Sequence, residues 1–249
     1  MTIAEYTKSQ IKKVMAQPKE ERLAYFWDYF KWHAIIFVLV IALLIQGVLS
    51  IVNRKETVFT GFLLNCSVID QDQTFLKGFY EYAGIDSKQQ EAAFYTDLAL
   101  RENNAQVNAN VFQRIVAGIA IDDADFIIGQ PDHFRPCAYH TSKILMDLRD
   151  FLDTETLEKV SDRLYYIDGA ILQQLTAPLG EMVHPESIKY PDPTKPDTMA
   201  EPIPVGIDIS DRTQLRDTYY YFPDTTLYIG VISSARPEIT RQFIDYLFS

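Results

Sequence analysis

The run AIIFVLVIALLIQGVLSIV, Ala34 to Val52, contains no charged residue, and it constrains the chain more than any other feature. As an α-helix rising 1.5 Å per residue it is about 28 Å long, close to the roughly 30 Å of bilayer hydrocarbon. Gln46 and Ser50 are its polar side chains. A buried core helix of this length normally keeps a polar face. The expectation is a transmembrane helix over residues 34–52, with the lipid bilayer as its partner. Lys8, Lys12, Lys13, Lys19, Arg22 and Lys31 precede the run, and only Arg54 and Lys55 follow closely. Basic residues remain on the cytoplasmic side. The expected arrangement is a single-pass signal-anchor in the cell membrane, with the N-terminus cytoplasmic and the C-terminal domain, residues 53–249, extracellular. Tyr25, Phe26, Trp27, Tyr29, Phe30 and Trp32 lie where an interfacial aromatic belt belongs. Pro18, Glu20 and Glu21 suit a first helical turn. One helix is therefore predicted from about Pro18 through Val52, with residues 1–33 cytoplasmic or interfacial. Val48-Leu49-Ser50 has the small residues of a signal cleavage site, but the apolar run exceeds a signal peptide's, which favours an uncleaved anchor.

Charge divides along the same line. Residues 1–33 have a small basic excess, so residues 53–249 carry more than the whole net charge of −11. That balance argues against nucleic acid, whose phosphates reward clustered Lys and Arg. The sequence lacks the glycine patterns of phosphate-binding loops and the G-x-S-x-G of a nucleophile elbow. No cofactor and no catalytic residue is expected.

Beyond Glu56 strand-like and helix-like segments alternate. TVFTGFLLNCSV reads as a buried strand. DQTFLKGFYEYAG follows with Phe75, Leu76 and Phe79 at helical spacing and Gly84 as a stop. Glu91–Leu100 reads as a second strand. NAQVNANVFQRIVAGIA places Val107, Val111, Ile115 and Ile119 on one helical face, and ADFIIG is a third strand. This spacing predicts an α/β fold with a mostly parallel, doubly wound sheet, in which Thr57–Cys66 and Ala124–Gly129 are parallel neighbours. The segments SKILMDLRDFL and ETLEKVSDRL read as short helical pieces and LYYID as a strand. HPESIKYPDPTKPDTMAEPIP reads as loop, because proline cannot support a central ladder. PVGIDIS and TTLYIGVIS read as strands, DRTQLRDTYYY as a helix, and PEITRQFIDYLF as a terminal helix burying Phe243 and Leu247.

Three stretches resemble the type II solute-binding proteins of ABC transporters. They are ADFIIGQPDHF with the following MDLRDFL, YIDGAILQQLTAPLG near the family's hinge, and TTLYIGVISSARPEITRQFIDYLF as its late strand and helix. The resemblance covers most of residues 57–249 and is nearest to shortened, membrane-anchored relatives. It implies one lobe, or a reduced two-lobe form, that binds a small solute or an envelope protein without covalent chemistry. A structural or assembly component of the cell envelope is the alternative. A hydrolase using Asp132 and His133 is a second, weakened by the lack of an activated nucleophile.

Asp132, His133 and Arg135 follow a strand, where open α/β sheets bind ligands. The plainer reading makes Asp132 a helix cap and His133 a surface residue. His133 and His140 are spaced to share a helix face, but a structural metal wants four close ligands. Cys66 and Cys137 either form a disulfide between neighbouring strands or are two separate buried thiols. Tyr220, within Tyr219–Phe222, is a candidate stacking surface, with core packing as the alternative. Ser233 and Ser234 precede the last helix and either bind an anion there or cap it.

Overall fold

The computed structural model describes the chain except residues 1–2, 17, 19–21, 53, 71–72, 103, 179–186, 222–224 and 234, together with some side chains of the first two helices. It divides into two compact units, Met1–Arg54 and Lys55–Ser249.

The first unit is helical. Helix α1 spans Ile3–Ala16 and α2 spans Arg22–Val52. The helix expected from about Pro18 is described from Arg22; Pro18 lies outside both helices, and residues 19–21 fall outside the described residues. Within α2, Lys31–Leu49 is long and apolar enough to cross a membrane, and none of it is buried by the rest of the protein.

The second unit is built on a six-stranded sheet of order β3-β1-β4-β8-β6-β5. Its strands are β1 (Glu56–Leu64), β3 (Gln90–Leu98), β4 (Phe126–Gly129), β5 (Leu164–Asp168), β6 (Pro202–Asp208) and β8 (Tyr228–Val231). A ribbon of β2 (Ser67–Val68) and β7 (Tyr219–Tyr220) stands apart. The helices are α3 (Thr74–Ala83), α4 (Ala105–Ala120), α5 (Pro131–Ala138), α6 (Leu148–Phe151), α7 (Thr154–Lys159), α8 (Gly169–Leu175), α9 (Thr213–Thr218) and α10 (Pro237–Leu247).

Strand alternation sorts side chains onto two faces. Phe59 and Leu63 of β1 join Phe126 and Ile128 of β4 in one core, covered by α3, α6 and α10. Phe62 and Leu64 join Ile127 in the other, covered by α4 and α5. The β1-α3-β3 and β3-α4-β4 crossovers thus use opposite faces, which is the doubly wound arrangement. Gly84 ends α3 at φ 68°, its N–H donating to the Tyr80 carbonyl, the left-handed cap that glycine adopts without steric cost.

β1 pairs in parallel with both β3 and β4, aligning Phe62 with Ile127. This is the expected adjacency. The expectation of a mostly parallel sheet is overturned by the other half. β8 is antiparallel to β4 and to β6, and β6 is antiparallel to β5. An antiparallel pair needs no helical crossover, so the short α8 and α9 suffice there. β6 also starts earlier than its prolines suggested. Its pairing with β8 is confined to Ile207 and Asp208, and Pro202 and Pro204 lie where it meets only β5, beside a register shift. DRTQLRDTYYY is helical only to Thr218. Tyr219 and Tyr220 then form β7, so Tyr219 and Tyr221 are buried and Tyr220 is exposed. Phe222 lies outside the described residues.

Candidate functional site

The loops at the carboxyl ends of β3, β1 and β4 meet on the α4–α5 face. Asn65 leaves β1 in a left-handed conformation, φ 52°. Its side chain donates to the Leu100 carbonyl and accepts from the Leu100 N–H, both at 2.8 Å. The segment after β3 is thereby fastened across the end of β1. Asn108 of α4 holds the next residue in the same way: it accepts from the Arg101 N–H and donates to the Arg101 carbonyl, each at 2.9 Å. Asn104 caps α4, accepting from the Val107 N–H at 3.1 Å.

The opposite wall is the β4–α5 junction. Gln130, buried and extended, is the N-cap and Pro131 opens the helix. The His133 and Phe134 N–H groups donate to the Gln130 carbonyl at 2.9 and 2.8 Å. Asp132, expected as the cap, is instead inside the first turn and exposed. Phe134 points into the sheet against Tyr165 and Tyr228, with ring centroids 5.0 and 5.7 Å away. A Cβ at Gly206 or Gly230 would come within 2.8 Å of its ring. These two glycines let α5 approach the sheet and so set the depth of the wall.

Between the walls is an open cleft of about 640 Å³, lined among others by Arg101, Asn108, Gln130, Asp132, His133 and Arg135. Sequence reasoning placed Asp132, His133 and Arg135 here because an apolar strand stops at Gly129. It missed Arg101, Asn108 and Asn65: Asn108 holds the Arg101 backbone and Asn65 that of Leu100, 35 residues away; an Asn directly after a strand, tolerant of positive φ, was the available signal for Asn65. The Arg135 guanidinium is 3.8 Å from the Asp132 carboxylate and lies over the Tyr190 ring at 5.6 Å.

The His133 Nδ1 is buried and has no hydrogen-bond partner among the described residues. Desolvation lowers the His133 pKa, with Asp132 and Glu102 opposing that shift. His140 lies past the end of α5, stacked on Phe112 at 4.7 Å, and its Nδ1 accepts from the Ser142 N–H at 3.2 Å. Burial lowers its pKa too. The two histidines therefore share no helix face, and among the described residues no group of three His, Cys, Asp or Glu could hold a metal ion. Both imidazoles are favoured neutral in the folded state. Their contribution to stability is full above the unfolded value of 6.5 and is lost as pH falls through the lowered folded values. Thermal unfolding of the full chain should show the midpoint falling as pH is lowered below 6.5. A His133→Gln, His140→Gln double variant should flatten that decline.

Cys66 packs against the core under α3 and α10, and Cys137 lies in the core under α4 and α5. They are on opposite faces of the sheet and both are free thiols, which overturns the disulfide reading. Burial pushes the Cys137 thiol up to about 12. Burial pushes Cys66 to about 11. Thiolate is the reactive form, so in folded protein at neutral pH neither cysteine should react readily with a maleimide. Both should react after unfolding without reductant; labelling of only one or neither then would reveal a covalent partner.

Ser233 is exposed and its N–H donates to the Ile144 carbonyl at 2.9 Å. It does not cap α10, whose N-cap is Arg236 with no side-chain capping bond. Ser234 lies outside the described residues. Ser233 does not line the cleft, nor does Tyr220. Comparison with protein-family models, with curated proteins and with solved structures gave no match.

Proposed function

We propose that this chain is a membrane-anchored, extracytoplasmic binding protein that takes a small polar solute, without covalent chemistry, in the cleft between Arg101 and Arg135. One observation carries the reading. The cleft lies at the carboxyl ends of parallel strands, where successive crossovers leave on opposite faces, and open α/β sheets bind ligands at such switch points. Its size falls within the range of about 300–1,000 Å³ common to small-molecule sites. Side chains of both charge signs at its mouth, Arg101 and Arg135 with Glu102 and Asp132, suit a ligand that carries charge of its own. The resemblance of Ala124–Phe134 and of Thr225–Phe248 to type II solute-binding proteins supports the same reading. The basic excess before Ala34 supports an outward-facing Lys55–Ser249.

Thermal unfolding of the full chain in detergent, against amino acids, dicarboxylates and sugars at millimolar concentration, tests this. At least one class should raise the midpoint by a few degrees, and an Arg101→Ala, Arg135→Ala variant should abolish the rise. No shift with any class would overturn the solute reading. The second reading is an envelope-protein partner. It is favoured by Val68, Ile69 and Tyr220, which are exposed on and beside the β2–β7 ribbon, an arrangement typical of docking surfaces.

A further inference from the structure

Helix α1 has a division of its surface that the solute cleft does not use. At about 100° per residue, Tyr6, Ile11 and Met15 fall within one half of its circumference. All three are exposed, at 51%, 44% and 67%. Lys8 and Lys13 stand at the two edges of that arc and Lys12 lies on the opposite face, and all three are exposed. A mainly apolar arc, in which Thr7 and Gln10 are the polar positions, bordered by lysines is the pattern of a helix lying in a lipid interface, with hydrocarbon below and headgroup phosphates alongside.

Chain geometry brings such a surface within reach. The membrane-length stretch of α2 begins at Lys31, nine residues after Arg22. Those residues rise about 13 Å. The chain between Ala16 and Arg22 extends at most about 20 Å. Helix α1 can therefore return to the leaflet from which α2 emerges. Exposed Trp27 and Trp32 in the same stretch of α2 suit the headgroup level.

Resting on the membrane-anchor reading, we infer that α1 lies flat in the headgroup layer of an anionic leaflet, its Tyr6–Ile11–Met15 arc in the acyl boundary and Lys8, Lys12 and Lys13 against lipid phosphates. The partner is a negatively charged lipid surface. Three lysines within a Debye length of such a surface give an attraction that depends on both lipid charge and salt.

The test uses the full chain reconstituted in vesicles of phosphatidylcholine alone or with about one third phosphatidylglycerol. Carbonate extraction first establishes whether the protein is membrane-integral; release from the vesicles would overturn the anchor reading and this inference with it. With the chain retained, hydrogen exchange of residues 3–16 is compared. Exchange should be about tenfold or more slower in the anionic vesicles, and the difference should vanish at high salt and in a Lys8→Gln, Lys12→Gln, Lys13→Gln variant that remains membrane-integral. Equal exchange in the two lipids would overturn the inference while leaving the anchor standing: equal protection would mean that α1 is covered by protein, and equal lack of protection that it is in water.

Discussion

Replacing Asp125 with alanine should cost the folded state about 3–5 kcal/mol, the range for removing one member of a buried ion pair. Asp125 is fully buried just before β4. Its carboxylate accepts from the Thr60 N–H at 2.6 Å and from the Arg236 N–H at 2.7 Å. It also accepts from the Arg236 guanidinium, through Nε at 3.1 Å and through Nη2. Arg236 in turn donates to the Thr57 carbonyl at 3.0 Å and to Asp123 at 3.3 Å. The node thus ties β1, the start of β4 and the start of α10. Alanine leaves the Thr60 and Arg236 N–H groups without their carboxylate acceptor and takes from the half-buried guanidinium its nearest counter-charge, Asp123 and the Thr57 carbonyl remaining; the desolvated donors dominate the loss. The exposed Lys159–Glu155 pair should contribute far less, since solvent screens it. An Asp125→Leu, Arg236→Met double variant should recover part of the loss, because it removes the orphaned charge. Urea unfolding followed by near-ultraviolet tyrosine signals is the suitable measurement, since Trp27 and Trp32 both lie in the helical unit. A loss below about 1 kcal/mol for Asp125→Ala would show that the node is not a structural keystone.

Ending the chain at Arg236 should unfold the α/β unit or nearly so. The deletion removes Phe243, Ile244 and Leu247, all buried. At about 1.5–3 kcal/mol per side chain, that approaches the whole stability of an ordinary domain, about 5–15 kcal/mol. Phe243 is the centre of an aromatic cluster. Its ring lies 4.7 Å from Phe126, 5.0 Å from Phe59 and Phe79, and 5.7 Å from Phe94. Phe243→Ala alone should cost about 3–5 kcal/mol. Arg212 and Arg241 add ties between this helix and the body, through the Leu247 and Phe151 carbonyls. A truncated chain that melts with the full protein would make α10 peripheral and remove its best-matched segment from the solute-binding resemblance.

The parts of the fold legible in the sequence are those with a strong period. Val107, Val111, Ile115 and Ile119 marked α4, and the apolar runs ending near Cys66 and Gly129 marked β1 and β4 as neighbours. Strand direction in the second half was not legible, because an apolar run in a covered sheet has the same composition whichever way it points. The tyrosines at 219–221 misled for a related reason: three adjacent large rings fit either period until the partner strand is known, and here β2 imposes a period of two. The cleft was half legible. A glycine and a proline after a short strand located Asp132, His133 and Arg135. The asparagines that shape the facing wall act on backbone groups as far as 35 residues away, a relation that no local pattern carries. Arg236 looked like an ordinary residue before a helix, and only the assembled sheet reveals that it meets Asp125 across 111 positions of chain.

The position of β8 has a kinetic consequence. Residues 56–129 supply β3, β1 and β4, and β8, at Tyr228–Val231, is inserted between β4 and β6. During synthesis the inner edge of β4 stays unpaired until Tyr228–Val231 emerges, about a hundred residues after β4 itself. Such an edge is a template for pairing with other chains, and contacts so distant in sequence form slowly. Refolding should therefore be slow, with yield falling as concentration rises, and a chaperone that shields the β4 edge should help most before Tyr228 appears.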